Sequence, residues 1–186
     1  GANNFKAKKC KSRNDVAREY LFKHEFEYVV LAASWPTPRT DMIYIDNQRV
    51  QNYPVKEHFL KEKISNTIST VIDAGIKPIL ILDTPFLGQV KPNCPIKKLQ
   101  FDKNLNCNIE DIPNPFVHSF VPELQLQFSQ LLVIDPRHVM CNGKICELAL
   151  EGIPLFRDND HLNDVGSRLI AKRYLEKFGS PFDGSK

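Results

Sequence analysis

The chain has 186 residues, a formal net charge of +3 and a hydrophobic fraction of 42%. This length favours one domain with a sizeable core, and the composition is that of an ordinary soluble globular protein. No apolar run approaches the roughly 18 residues of a membrane-spanning helix, and no signal peptide is recognisable. The densest basic run, from Lys6 to Arg13, lacks interleaved aromatic residues, so we expect a solvated surface and no nucleic-acid partner.

The first part of the chain predicts a helix, an apolar strand and a loop. Residues 1–13 are expected to be an irregular lead, and the spacing of apolar residues predicts a helix over 14–24. The continuous β-branched and apolar run over 28–33 is typical of a strand buried on both faces. Turn-forming residues predict a loop over 37–54, with a short hairpin around 43–45.

Helices and short apolar strands alternate through the rest of the chain. The expected order is a helix over 55–74 stopped by Gly75, a strand over 78–82, an irregular loop from Phe86 to about Pro115, a helix over 118–130, a strand over 131–134, a helix over 164–178 and a tail over 179–186. Such alternation predicts an α/β fold, a three-layer α/β/α arrangement around a central parallel sheet. We expect a single domain over residues 1–186 with no repeats.

Polar residues follow two of the predicted strands. Ser34 and Trp35 come after the first strand, and Asp83 and Thr84 come after the second. Open α/β sheets bind their ligands beyond the carboxyl ends of the strands. These four residues are therefore a candidate substrate or oxyanion region, in which Trp35 would form a pocket wall able to stack on a sugar ring.

Five cysteines leave one without a partner if the others pair. Cys141 and Cys146 flank an Asn-Gly turn signal, and Cys94 and Cys107 flank a Pro- and Asn-containing loop, while Cys10 is left over. We favour the disulfides Cys94–Cys107 and Cys141–Cys146 and an oxidising compartment. Five reduced, buried thiols are the alternative.

The strongest chemical signal is the segment from Arg157 to Asn163, directly before the last predicted helix. Asp158 and His161 are three residues apart, so the carboxylate can hold one imidazole nitrogen and leave the other free. This is the acid–base half of a nucleophilic catalytic system, with His161 as general base and Asp158 as its orienting partner.

Other interpretations of this segment stay open. The carboxylate and imidazole can belong to a plain helix-capping loop, and Asp160 can replace Asp158 as the partner, although its adjacency to His161 makes a side-chain bond awkward. A metal site is not expected, because one short loop offers few ligands. Ser34 is the only serine at a predicted strand end, but Trp35-Pro36 does not open the helix that a nucleophile elbow needs.

The block from Leu155 to Gly166 resembles the final block of SGNH (GDSL-type) hydrolases, an Asp-x-x-His followed by Leu and, shortly after, Gly. More specifically, the chain resembles the SGNH domain fused to the C-terminus of membrane acyltransferase-3 proteins, which are O-acetyltransferases of bacterial surface polysaccharides. Further matches are the strand ending Val-Leu-Ala-Ala-Ser-Trp at Trp35, Thr84-Pro85 before a Cys-containing loop, and the cysteine pair Cys141 and Cys146. The resemblance implies the SGNH hydrolase, flavodoxin-like fold.

The family's first block, a strand followed by Gly-Asp-Ser with the serine nucleophile, matches nothing here. The expectation is that this strand and nucleophile lie upstream of residue 1, with which the unpaired Cys10 agrees. The family's oxyanion Gly and Asn positions fall near Ala33 or Ser34 and near Asp83 or Thr84, where only backbone amides carry over.

The resemblance implies an extracytoplasmic, periplasmic domain of an inner-membrane O-acyltransferase, in which His161 and Asp158 serve an upstream serine. Its partners would be a glycan acceptor, such as an O-antigen lipopolysaccharide, and the membrane acyltransferase domain of the same parent chain. No bound cofactor is expected, since the membrane portion would supply the acetyl donor, and this chain alone should be inactive. The rivals are a carbohydrate esterase with the same triad and a non-catalytic glycan-binding module.

Overall fold

The computed structural model describes residues 2–35, 43–45, 48–101, 103–112 and 114–182, without the side chains of 2–8 and 10. Residues 37–42 and 46–47 of the expected loop over 37–54, the tail from 183 and the partner of Cys10 lie outside this description. In chain order the elements are α1 (Ala2–Lys23), β1 (Tyr28–Ala32), β2 (Ile43–Ile45), β3 (Gln48–Val50), α2 (Tyr53–Asp73), β4 (Lys77–Ile81), α3 (Cys94–Gln100), β5 (Ile109–Glu110), α4 (Pro115–Gln127), β6 (Leu132–Ile134), α5 (Arg137–Met140), β7 (Cys141–Asn142), β8 (Ile145–Cys146), β9 (Ala149–Leu150), β10 (Ile153–Pro154) and α6 (Asp164–Phe178).

The predicted α/β class is confirmed, because β1, β4 and β6 form a parallel sheet in the order β1-β4-β6 and the described chain also carries six helices. The middle strand β4 is buried from Pro78 to Leu80. The expectation that β1 is buried on both faces is wrong, since Val30 is 48% exposed. Within the described residues β1 lies at one end of the strand order, where it has one strand neighbour.

The chain divides into two compact units, of which the first contains Gly1–Leu31, Pro36–Ile79 and Pro115–Leu132. Its helix α1 begins at Ala2, so the expectation of an irregular lead over 1–13 is wrong. Residues 2–13 contain no Gly or Pro and are rich in Ala and Lys, which are strong helix formers. The expected hairpin is present, since β2 and β3 pair antiparallel.

The second unit contains Ala32–Trp35, Leu80–Asn114 and Val133–Lys186. The expectation of an irregular loop from Phe86 to about Pro115 is wrong, because this stretch contains α3 and β5. Pro95 in the first turn presets the backbone for α3, and β5 is held by pairing with β8 in the small sheet β5-β8-β7. Both predicted disulfides, Cys94–Cys107 and Cys141–Cys146, are present.

The core of the second unit gathers buried side chains from this disulfide-linked region and from α6. Its members are Leu87, Cys94, Cys107, Ile109, Val139, Met140, Cys146, Leu148, Leu155, Phe156 and Ile170. The helix α6 has the predicted bounds, because Asn163 caps its start and Gly179, at φ +80°, ends it. None of the described helices has the length and apolar content that crossing a membrane requires. The expectation of a single domain over 1–186 stays a prediction.

Candidate active site

The loop before α6 folds around the carboxylate of Asp158. One oxygen, Oδ1, accepts the backbone N–H groups of Asp160 at 3.2 Å and of His161 at 2.9 Å. The same oxygen lies 2.9 Å from Nδ1 of His161. The backbone N–H of His161 is the largest cause that lowers the pKa of Asp158 well below its ordinary value, and the imidazole hydrogen bond adds to it. Asp158 is therefore a carboxylate, able to accept a hydrogen bond from Nδ1–H of the ring.

The imidazole of His161 is held on one side only. Because ionised Asp158 is an acceptor, Nδ1 carries the proton and Nε2 has a lone pair. Among the residues that the structure describes, none forms a hydrogen bond with Nε2, and the His161 side chain is 62% exposed. Solvent or a reacting group can reach a nitrogen that is set up to accept a proton.

Asp160 contacts the same ring nitrogen. Its Oδ1 is 3.0 Å from Nδ1 of His161, as near as Asp158, although adjacency in the chain predicted an awkward approach. Only the Asp158 oxygen meets the directional requirement of a hydrogen bond within the described loop. Asp160 therefore adds negative charge beside the imidazole, and Asp158 orients it.

The end of the loop is fixed by Asn163, the N-cap of α6. Its side-chain oxygen accepts the N–H of Gly166 at 2.7 Å, and its side-chain amide donates to the carbonyl of Pro154 at 2.8 Å. Its backbone N–H donates to the carbonyl of Leu155 at 2.8 Å. Gly166 allows this approach, because a Cβ on it would lie 2.2 Å from the carbonyl oxygen of Leu155.

The segment after β4 holds the other side of the loop. The hydroxyl of Thr84 donates to the carbonyl of Asp160 at 3.2 Å, and the N–H of Leu87 donates to the carbonyl of Asn159 at 3.0 Å. The structure thus brings Thr84, predicted from its strand-end position, next to the loop that contains His161.

Trp35 and Asp83 form a second group after β1 and β4. The backbone N–H of Trp35 donates to the Asp83 carboxylate at 3.2 and 3.4 Å, and its indole N–H donates to the carbonyl of Ile81 at 2.7 Å. Burial raises the pKa of Asp83, and the Trp35 N–H partly opposes this. Because the amide of Trp35 is occupied, it is not a free oxyanion donor.

Ser34 is not joined to the acid–base pair. It is exposed and, within the described part of the chain, its hydroxyl makes no hydrogen bond with His161. The roles of Ser34, Trp35, Asp83 and Thr84 as a substrate or oxyanion region stay a prediction.

A buried arginine network, which the sequence interpretation missed, supports the strand ends. Arg137 donates through Nε to Asp111 at 3.0 Å and through Nη1 to the backbone carbonyl of Asp83, while its own N–H donates to Asp135 at 2.9 Å. The three charged side chains are each only 10–12% exposed. The one sequence signal was the carboxylate Asp135 placed directly after a predicted strand.

One acidic cluster in the loop has the donor atoms of a metal site. The ligand atoms of Asp158, Asp160 and His161 lie within 4.8 Å of one another. However, Oδ1 of Asp158 already accepts three N–H groups, and all the candidate ligands come from one exposed loop. The cluster gives no basis for a metal centre.

Comparison with models of protein families matches residues 1–176 to the SGNH domain that is fused to AT3 domains. Neither the curated proteins nor the solved structures include a significant match to the chain. The matched range includes the whole candidate site and extends into both compact units.

Proposed function

The chain belongs to the family of SGNH domains that are fused to AT3 domains, and on this premise we propose that it transfers acetyl groups to hydroxyls of a bacterial surface polysaccharide. It would act in the periplasm as part of a membrane-bound O-acyltransferase. Family membership establishes an acyltransferase-associated domain, and the acceptor, mechanism and location are the proposal.

The observation that carries this proposal is the one-sided anchoring of His161. Nδ1 is tied to an ionised Asp158, while Nε2 is exposed and has no hydrogen-bond partner among the described residues. A structural histidine would have its polar atoms satisfied by neighbours, or would be loosely placed at the surface. An oriented imidazole with a free basic nitrogen suits proton transfer in acyl chemistry.

In the proposed reaction, Nε2 of His161 takes the proton of a serine hydroxyl as the serine oxygen attacks the acetyl carbonyl. The donor's leaving group departs with that proton, which leaves an acetyl-serine. A glycan hydroxyl then gives its proton to Nε2 and attacks the ester, so that the O-acetyl glycan forms and the serine is regenerated. Asp158 stabilises the imidazolium at both stages.

The serine is proposed to lie outside these residues, because the sequence contains no Gly-Asp-Ser. The AT3 part of the parent protein would supply the acetyl donor. In this proposal the chain contributes the base, its orienting carboxylate and the segment of Thr84 that supports the loop, and no metal is invoked.

The proposal is tested in the parent protein that carries both the SGNH and AT3 domains. We expect His161→Ala to abolish O-acetylation of the surface polysaccharide, and Asp158→Asn to lower its rate by at least about a hundredfold. Asp164→Asn is the matched control, because this exposed carboxylate pairs with Arg168 at 3.2 Å. Normal acetylation by the His161 variant would exclude the proposed role.

Turnover of p-nitrophenyl acetate by the same parent protein, with and without an oligosaccharide, separates the rival functions. If the protein is a transferase, the oligosaccharide becomes acetylated and less acetate is released. Hydrolysis that is indifferent to the oligosaccharide identifies an esterase, and binding of the oligosaccharide without turnover identifies a glycan-binding module.

A further inference from the structure

A segment closed by the disulfide Cys94–Cys107 exposes large apolar side chains. Ile96, Leu99 and Phe101 are 43%, 67% and 81% exposed, whereas both cysteines are buried in the core of the second unit. Ile96 and Leu99 are three residues apart on α3, so they are neighbours on one surface of the helix. The segment is thus anchored by its ends and presents Ile96, Leu99 and Phe101 outward.

The same region carries an excess of positive charge. Between residues 91 and 106 the sequence has four lysines and one carboxyl group, that of Asp102. The lysines are Lys91, Lys97, Lys98 and Lys103, all of them exposed. In the described part of the chain none of these ammonium groups forms an ion pair, although lysines elsewhere, such as Lys23, Lys63 and Lys172, do.

We propose that the Cys94–Cys107 segment, with Lys91, docks on an anionic lipid surface. Aromatic and aliphatic side chains beside unpaired lysines are the composition of interfacial membrane segments, in which apolar groups enter the headgroup boundary and lysines meet anionic headgroups. The family's fusion to AT3 domains places such a surface within reach, because a membrane acyltransferase part tethers the domain.

The disulfide makes this docking possible without refolding. It fixes the two ends of the segment 5.6 Å apart between Cα atoms, and Pro95 in the first turn presets α3. A helix that is already formed, such as α3, loses little conformational entropy when it binds. Membrane docking does not depend on acyl chemistry. Docking can therefore fail while the proposed function holds, and the proposed function can fail while docking holds.

The test is sedimentation of the 186-residue chain with vesicles of neutral phosphatidylcholine, or with vesicles that also contain about one third phosphatidylglycerol. We expect binding only to the anionic vesicles, weakened when salt is raised to about 0.5 M. Replacing Lys97, Lys98 and Lys103 together with Gln should reduce the partition coefficient about a hundredfold, since each lysine contributes about fivefold. Phe101→Ser should reduce it about tenfold.

Two control variants match these changes elsewhere on the surface. Replacing Lys23, Lys63 and Lys172 with Gln changes the net charge equally, and Leu126→Ser removes a side chain that is 89% exposed on α4. Both should bind anionic vesicles within about twofold of the parent chain. Far-UV circular dichroism of every variant verifies that the fold is retained.

Three outcomes overturn the proposal. The first is that the chain does not partition into anionic vesicles at low salt. The second is that both triple-lysine variants lose vesicle binding equally, which would indicate non-specific attraction by net charge. The third is a dimer in sedimentation velocity that Phe101→Ser dissociates, because the apolar residues would then face a second copy. A blue shift in the added emission of Phe101→Trp on anionic vesicles supports the proposal independently.

Discussion

Replacing Gly166 with alanine should destabilise the second unit, although the same change in most exposed helices is stabilising. The new Cβ would lie 2.2, 2.7 and 2.8 Å from the O, Cα and C atoms of Leu155. All three are backbone atoms, and Leu155 is fully buried. A rotamer change therefore cannot relieve the clash, and the start of α6 must move by about 1 Å to restore van der Waals contact.

Two opposing free-energy changes decide how much stability Gly166→Ala loses. Alanine gains about 1 kcal/mol over glycine in helix propensity. Overpacking against a rigid backbone costs about 3 kcal/mol, and displacement of α6 weakens the hydrogen bond from Asn163 to Leu155, worth about 1 kcal/mol. The clash exceeds the propensity gain, so we expect Gly166→Ala to lose about 3 kcal/mol of unfolding free energy.

The assay is equilibrium urea denaturation followed by the emission of Trp35, the only tryptophan and a member of the same unit. Ser167→Ala is the matched control, because it raises helix propensity at the next position, where the side chain is exposed. The control should be as stable as the parent chain or slightly more stable. A Gly166→Ala variant with unchanged or increased stability would refute the close approach of α6 to Leu155.

Three further perturbations test the charged groups. The pKa of Asp158 is held well below its ordinary 3.8, mainly by the backbone N–H of His161. The stabilising contribution of this carboxylate is therefore complete above pH about 4 and is lost as the pH falls through its folded-state pKa. Carboxyl carbon NMR should find Asp158 ionised at pH 3, and His161→Gln should leave its pKa still lowered. Burial raises the pKa of Asp83, so the emission of Trp35 should change as that carboxylate protonates above pH 3.8, and Asp83→Asn should remove the transition. Arg137→Met removes the cation beside two largely buried carboxylates, Asp111 and Asp135, and should cost about 3–5 kcal/mol in urea denaturation.

Each of these has an outcome that contradicts it. An Asp158 carboxyl with an ordinary pKa would show that the loop hydrogen bonds do not persist in solution. A pH transition in Trp35 emission that survives Asp83→Asn would assign it to another group. A loss below about 1 kcal/mol for Arg137→Met, typical of surface pairs, would show that the network is solvated.

The features that the sequence predicted correctly are set by residues that lie close together in the chain. The bounds of α6 follow from the cap at Asn163, the stripe of apolar residues and Gly179, all of which are contiguous in the chain. The same holds for the disulfide at Cys141 and Cys146, where an Asn-Gly turn joins two short strands. The pairing of Asp158 with His161 also needs only three residues of spacing.

Features built from distant segments escaped prediction. Arg137 meets Asp111, 26 residues earlier, and the carbonyl of Asp83, 54 residues earlier, and no periodicity encodes such contacts. β5 is two residues long and exists because β8 pairs with it. The exposure of β1 depends on its place in the strand order, which an apolar run does not specify.

The hydrogen bonds that orient His161 all come from within its own four-residue turn, and this has a consequence for the barrier to reaction. In the proposed reaction, the imidazole already has the direction it needs once the loop has folded, before an acyl donor or acceptor binds. Little reorganisation energy is then needed when charge develops on the ring, which is the electrostatic advantage of a preorganised site. Thr84 and Leu87 support the turn through the backbone carbonyls of Asp160 and Asn159, and the Asp158–His161 bond is local. We therefore expect side-chain changes in the proposed acceptor-binding surface to alter specificity while the geometry of the pair persists.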